Sequence, residues 1–270
     1  MITRSSTNMY VPNNTEINDW FTIEQIDDTT YAISEYGHWE ETHCYLLLGG
    51  DRALLIDTGL GVANIREVVN TLTSLPVLVV TTHVHWDHIG GHRYFKEIAV
   101  HDTEKSWLSD TFPLPLDVVK RNLIRKPCAF PDGFRADQYQ IFHGYPTTIL
   151  RDNDIITIGR RNLRVIHTPG HSPGHCCFYE PERKYLYSGD LLYRGTLDAF
   201  YPTTDPVQFF QSVLKIRTLD VQRIFPGHHS LDVTPDIIAQ TEAAFRKLEA
   251  AGKLHHGSGF YDFGNFQIHL

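Results

Sequence analysis

The sequence predicts an α/β layered sandwich built as a single domain over residues 1–270. Two groups of short strands, each accompanied by its own helices, predict the layering. A continuous β-branched run, VLVVTT at 77–82, predicts a strand buried on both faces. With 270 residues, 41% apolar and 21% charged, the chain has the material for one large core, which excludes disorder.

The first group reads as four strands, FTIEQI (21–26), TYAISEY (30–36), HCYLLLGG (43–50) and ALLIDTG (53–59), separated by turn residues such as GGDR. From Asn64 to Ser74, Ile65, Val68, Val69 and Leu72 recur at helical spacing, and Pro76 closes the helix. The stretch 107–146 is irregular, rich in proline and aromatics. The second group follows: TTILRDN (147–153), IITIGR (155–160), LRVIHT (163–168), CCFYEP (176–181) and KYLYSGD (184–190). A helix near Pro206–Leu219, a strand RIFPG (223–227), a helix around Pro235–Ala251 and a last strand FGNFQIHL (263–270) complete the chain.

Composition limits the function. Thirty-two Asp and Glu against 24 Lys and Arg give a net charge of −8, which argues against nucleic acid as a partner. The first twenty residues contain no apolar run able to serve as a signal-peptide core, and no stretch reaches about 18 consecutive apolar residues. A cytoplasmic protein with no membrane partner is the expectation. Cys44, Cys128, Cys176 and Cys177 show no CxxC spacing and read as buried thiols, the adjacent pair pointing to opposite faces of a strand.

Sixteen histidines stand out in this acidic chain. His83, His85, Asp87 and His88 fall together as HVHWDH directly after the buried strand. Imidazole and carboxylate are preferred zinc ligands, and a turn at a strand end can aim all four into one cavity. His171, Asp190 and His228 each lie where a short strand gives way to a Gly-containing turn. Five histidines and two carboxylates exceed one tetrahedral zinc and fit two metals sharing a carboxylate. The remaining histidines have no such context: His92 reads as a helix residue, and His175 and His229 as neighbours that pack near or orient a ligand.

These motifs, IDTG at Asp57, THVHWDH at His83 to His88, TPGHSPGH at His171, SGD at Asp190 and PGH at His228, resemble in order the five motifs of the metallo-β-lactamase fold superfamily. The resemblance spans nearly the whole chain and implies an αββα four-layer sandwich. It also implies one zinc on His83, His85 and His171, a second on Asp87, His88 and His228, and Asp190 bridging both. Asp57 would orient the site by hydrogen bonding, without touching metal. Fe or Mn are possible substitutes for the two Zn²⁺.

Departures within the motifs narrow the subfamily. The common penicillin-hydrolysing members carry Cys where Asp190 stands, which counts against a dedicated β-lactamase. The sequence is closer to the glyoxalase II, acyl-homoserine-lactone lactonase and acyl-CoA thioesterase groups. Its implied reaction is hydrolysis of a small-molecule thioester, ester or lactone by a metal-bridging hydroxide, acyl-thioesterase-like preferred, with Asp87 handling the proton and Tyr193 supporting the oxyanion. An N-acyl-homoserine lactone lactonase is the alternative within the class. A mononuclear iron dioxygenase resembling the persulfide dioxygenases is the alternative outside it. The 107–146 insert would cap the site, with Phe112, Leu114, Leu116, Phe130 and Phe134 along an acyl channel and Lys120, Arg121, Arg125 and Lys126 near phosphates of a CoA-like head. An aromatic-rich cap is also a plausible homodimer contact.

Overall fold

A computed structural model describes residues 19–270. Residues 1–18, and with them most of the stretch read for a signal-peptide core, lie outside the described residues. Two sheets form the centre. In the first, β1 (Thr22–Asp27), β2 (Thr30–Ser34), β3 (His43–Leu48) and β4 (Ala53–Ile56) run antiparallel. From β4 onward, β5 (Val77–Val80), β6 (Glu97–His101) and β7 (Thr148–Leu150) continue in parallel, in spatial order β1 to β7. The second sheet has the order β13-β11-β10-β9-β8, from β8 (Ile155–Ile158), β9 (Arg161–His167), β10 (Cys176–Glu180), β11 (Tyr185–Gly189) and β13 (Arg223–Pro226).

Alternation along the strands sorts side chains into the layers. On β3, Tyr45 and Leu47 join the core between the sheets while Cys44 and Leu46 face outward; on β4, Leu54 and Ile56 point in and Ala53 and Leu55 out. Cys176 and Phe178 of β10 meet them from the second sheet, whereas Cys177 and Tyr179 face the opposite layer. The adjacent cysteines therefore split between faces as the period of two requires, and both are free, buried thiols.

Helices cover both outer faces. α1 (Ile65–Leu72) is capped by Asn64, whose side chain accepts from the Arg66 N–H at 3.1 Å, and buries Ile65, Val68 and Val69 against the first sheet. Two short helices follow, α2 (Trp86–Ile89) and α3 (Lys105–Ser109). α4 (Leu116–Leu123) lies within the 107–146 stretch, which is thus not wholly irregular. On the second sheet, α5 (Pro206–Ile216) starts with Pro206 after the Asp205 cap, and α6 (Asp236–Ala250) packs Phe245 on Phe209 and Phe210. The result is the αββα four-layer sandwich. A third sheet of β12 (Thr196–Asp198), β15 (Gln267–His269) and β14 (Phe260–Asp262) was not foreseen; the last strand pairs with a three-residue strand too short to read in the sequence. No helix among the described residues is long and apolar enough to cross a membrane.

Candidate metal centre

Strand direction brings the motifs together. β4 and β5 run parallel, and so do β11 and β13; β9 shares the direction of β11 because both are antiparallel to β10. The loops leaving these five strands carry Asp57, His83 to His88, Asp190, His228 and His171, so all emerge on one edge of the sandwich. Every turn has its local reason. Asp57 sits at φ 59°, and Gly189 at φ 49° is packed so tightly that an added Cβ would lie 2.6 Å from His175 Nε2.

The seven predicted ligands converge. Ligand atoms of His83, His85 and His171 lie within 4.8 Å of one another, as do those of Asp87, His88 and His228, and those of His83, His88 and Asp190. Asp190 stands between the groups: its Oδ2 is 3.3 Å from His171 Nε2 and 3.2 Å from His228 Nε2, and its Oδ1 is 3.2 Å from His88 Nε2. Asp87 Oδ2 is 3.6 Å from His88 Nε2 and 3.5 Å from His228 Nε2.

Hydrogen bonds on the far side of the rings set the tautomers. The Asp57 carboxylate accepts from His88 Nδ1 at 2.9 Å, and the carbonyls of Glu40 and Asp198 accept from His228 Nδ1 at 2.9 Å and His171 Nδ1 at 3.2 Å. Thr82 Oγ1 donates to Asp57 at 2.7 Å and so accepts from His83 Nδ1 at 3.0 Å. Each of these four rings is left with its Nε2 aimed at the centre, free to ligate once unprotonated. His83 Nε2 and Asp190 Oδ1 are buried with no hydrogen-bond partner. Converging lone pairs, buried carboxylates and two unsatisfied atoms fit divalent cations of the nitrogen- and oxygen-binding kind.

Carboxylates and imidazoles in the cluster set one another's proton affinity. Burial disfavours a charged His88, but Asp190, Asp87 and Asp57 override it and hold the ring well above the usual histidine range. His228 is likewise pushed up to about 9 against its burial, chiefly by Asp190. Burial and neighbouring imidazoles hold His83 and His85 well below the usual range. Asp190, despite burial, is held well below the carboxylate range by His228, His88, His171 and His83.

Around the cluster, the structure assigns histidines that the motifs left open. His175 Nε2 accepts the Asp190 N–H at 3.0 Å, and so orients the bridging residue. Both nitrogens of the buried His92 are held by threonines, Thr58 Oγ1 at 2.7 Å and Thr81 Oγ1 at 2.8 Å, which keeps it out of the cluster. His229 packs its ring, tilted, against Tyr193, 5.7 Å between centroids.

Other expectations are revised. The Tyr193 ring packs 5.5 Å from the His228 ring, but its hydroxyl donates to the Thr196 carbonyl, so the single phenolic proton expected at the oxyanion is already committed. Phe112, Leu114, Leu116, Phe130 and Phe134 pack into a cluster with Trp20, Leu60, Trp86 and Val119, a structural role in place of an open acyl channel. Of the four cations in the same stretch, Lys120 donates to the Asp137 carbonyl and Arg121 pairs with Asp117, both at 2.6 Å.

Three glutamates escaped the sequence reading because single carboxylates outside a motif give no signal. Glu104, fully buried, accepts from Val84 N, Ser172 Oγ and Gly174 N. Glu35 accepts from Trp20 Nε1 at 2.7 Å and Leu60 N at 2.8 Å, and burial pushes its carboxyl up to about 7. Glu40 is raised to about 8 by burial and by Asp87 nearby.

Comparison with known proteins agrees with this geometry. Residues 38–228 match the family model of the metallo-beta-lactamase superfamily. The chain belongs to that superfamily. It is a hydrolase. An acyl-coenzyme A thioesterase MBLAC2 of Homo sapiens is 33% identical over 231 residues, 78% of this chain and 81% of the relative. Its Gallus gallus counterpart is 30% identical, covering 79% and 82%. Among solved structures, a metallo-beta-lactamase from Pontibacter korlensis superposes with a TM-score of 0.62 at 17% identity over 84% of this chain and 99% of that one. An archaeal superfamily protein from Sulfolobus tokodaii gives 0.57 at 21% identity, over 80% and 85%. These two likenesses carry the fold.

Proposed function

We propose that this chain is a two-metal hydrolase of small-molecule acyl thioesters, of the acyl-CoA class. The observation that carries the reading is Asp190 standing between two three-residue ligand groups, in a chain that aligns over about four-fifths of its length with named acyl-CoA thioesterases. His83, His85 and His171 would hold one cation, Asp87, His88 and His228 the other, and Asp190 would touch both. Two divalent cations there, Zn²⁺ first by donor chemistry, supply Lewis acidity for a carbonyl and a nucleophilic water at neutral pH.

The chain's own residues do the rest. Asp57 fixes the His88 tautomer, the Glu40 and Asp198 carbonyls fix His228 and His171, and His175 fixes the Asp190 backbone. Asp87, whose Oδ2 faces the cluster, is positioned to take the proton from the attacking water. The leaving thiol departs toward the open edge, beneath the 107–146 cap. Tyr193 orients His228 through its ring, and can serve an oxyanion only after its hydroxyl leaves Thr196.

Hydrolysis of a panel tests the reading: acyl-CoAs of graded length, acyl-homoserine lactones, S-lactoylglutathione and a chromogenic cephalosporin. The highest kcat/KM is expected on acyl-CoA. A lactone ranked first would move the chain to the lactonase group, and turnover of none would end the hydrolytic assignment of these substrates.

A further inference from the structure

The rim beside the ligand cluster carries two cations that no acidic side chain answers. Behind α4 the chain is tied to the 38–40 segment: the Leu123 carbonyl accepts from His38 Nε2 and the Asn122 carbonyl from Trp39 Nε1, both at 2.9 Å. These bonds fix the indole, and the Arg125 guanidinium and Lys126 ammonium lie 5.3 and 5.7 Å from its ring centroid. Unlike Lys120 and Arg121, which are bonded within the cap, neither has an ion-pair partner among the described residues, and both are exposed.

The pair adjoins the reaction edge. Glu40 follows Trp39, and its carbonyl is the group that accepts from His228 Nδ1 at 2.9 Å. Tyr201, exposed at 48%, lies within the fields of both Arg125 and Glu40. Charge is segregated. Glu40, Asp87 and Asp190 stand on the ligand side, and Arg125 and Lys126 on the outer side.

We propose that Arg125 and Lys126, held on Trp39, form the subsite for the phosphorylated nucleotide head of the thiol leaving group, while the uncharged thioester reaches inward. This rests on the thioesterase reading above. A guanidinium grips phosphate oxygens in pairs and an ammonium adds a mobile point charge, so the two together suit a head with several phosphates. The Trp39 ring holds the cations without neutralising them, as a carboxylate would.

Calorimetric titration of the metal-loaded protein with adenosine 3′,5′-bisphosphate and with CoA tests the subsite without turnover. Arg125→Glu/Lys126→Glu should weaken both at least tenfold, and 0.5 M salt should weaken the parent's binding strongly. Lys120→Glu/Arg121→Glu, in the same stretch, should stay within about threefold. In steady state, the Arg125→Glu/Lys126→Glu loss of kcat/KM on acyl-CoA should exceed its loss on the matching acyl-pantetheine, which lacks the nucleotide, at least tenfold. Equal affinity of parent and Arg125→Glu/Lys126→Glu for both nucleotides, or equal losses on the two thioesters, would overturn the subsite. If the parent cleaves neither thioester, the thioesterase reading fails, and the bisphosphate titration still decides the subsite.

Discussion

Glu104 Oε2 accepts the backbone N–H of Val84, the residue between His83 and His85, at 2.5 Å. Its other oxygen accepts Ser172 Oγ at 2.5 Å and Gly174 N at 2.7 Å, both within the loop that starts at His171. One buried carboxyl thus clamps the two loops that carry the first ligand group, joining the first sheet's edge to the second's.

Replacing Glu104 with Ala strands two buried backbone N–H groups and one hydroxyl. Each stranded donor costs about 1–3 kcal/mol, so a loss of roughly 3–5 kcal/mol is expected after partial relaxation. Urea denaturation of the metal-free protein measures it. A loss below about 1 kcal/mol would show that the loops hold each other without the clamp.

Asp57→Asn keeps the shape at position 57 but removes the charge that holds the His88 tautomer. Metal affinity of the group containing His88 should fall about 10- to 100-fold, the usual cost of losing such an orienting carboxylate. Competition against a chromogenic chelator reads this directly, and unchanged affinity at both sites would refute the orienting role.

Tyr193→Phe should retain both metals and lose about 1 kcal/mol of stability, since the hydroxyl's bond is to Thr196. With that bond in place during turnover, kcat should change less than about threefold. A fall of about a hundredfold, the size of one lost oxyanion donor, would mean the hydroxyl swings to substrate.

Glu35 gives a pH dependence of definite sign. Burial raises its carboxyl in the folded protein from 4.5 to about 7, so between those values the folded state holds a proton that the unfolded state has released. Its contribution to stability is full below pH 4.5 and lost as pH rises to about 7, on the order of 3 kcal/mol. Glu35→Gln should remove this slope, so the wild type minus variant difference in unfolding free energy should fall between pH 4.5 and 7.5. A flat difference would show that the carboxylate is stabilised by Trp20 and Leu60 as well as the acid is.

The layered fold and the seven clustered groups were legible because each rests on local pattern: period two on β3, β4 and β10, a β-branched run before HVHWDH, and Gly turns after β9, β11 and β13. What sequence did not reveal depends on long-range pairing. Glu104, Glu35 and Glu40 sit apart from any motif and gain meaning only from partners brought close by folding. The third sheet joins residues near 197 to the C-terminal strand, a pairing that three-residue strands do not announce. The cap aromatics were legible as apolar, but their facing could not be read without periodicity.

The proposed hydrolysis of an acyl thioester depends on two cations joined by Asp190. Metal-free protein, prepared by chelation, should be titrated with Zn²⁺ while acyl-CoA hydrolysis and bound metal are measured together. No hydrolysis is expected without metal, and activity should rise to a plateau at two equivalents, with Asp190→Ala binding at least one equivalent less and losing most activity. Hydrolysis that survives chelation, or full function at one equivalent of iron with thiol-dependent oxygen uptake, would contradict it.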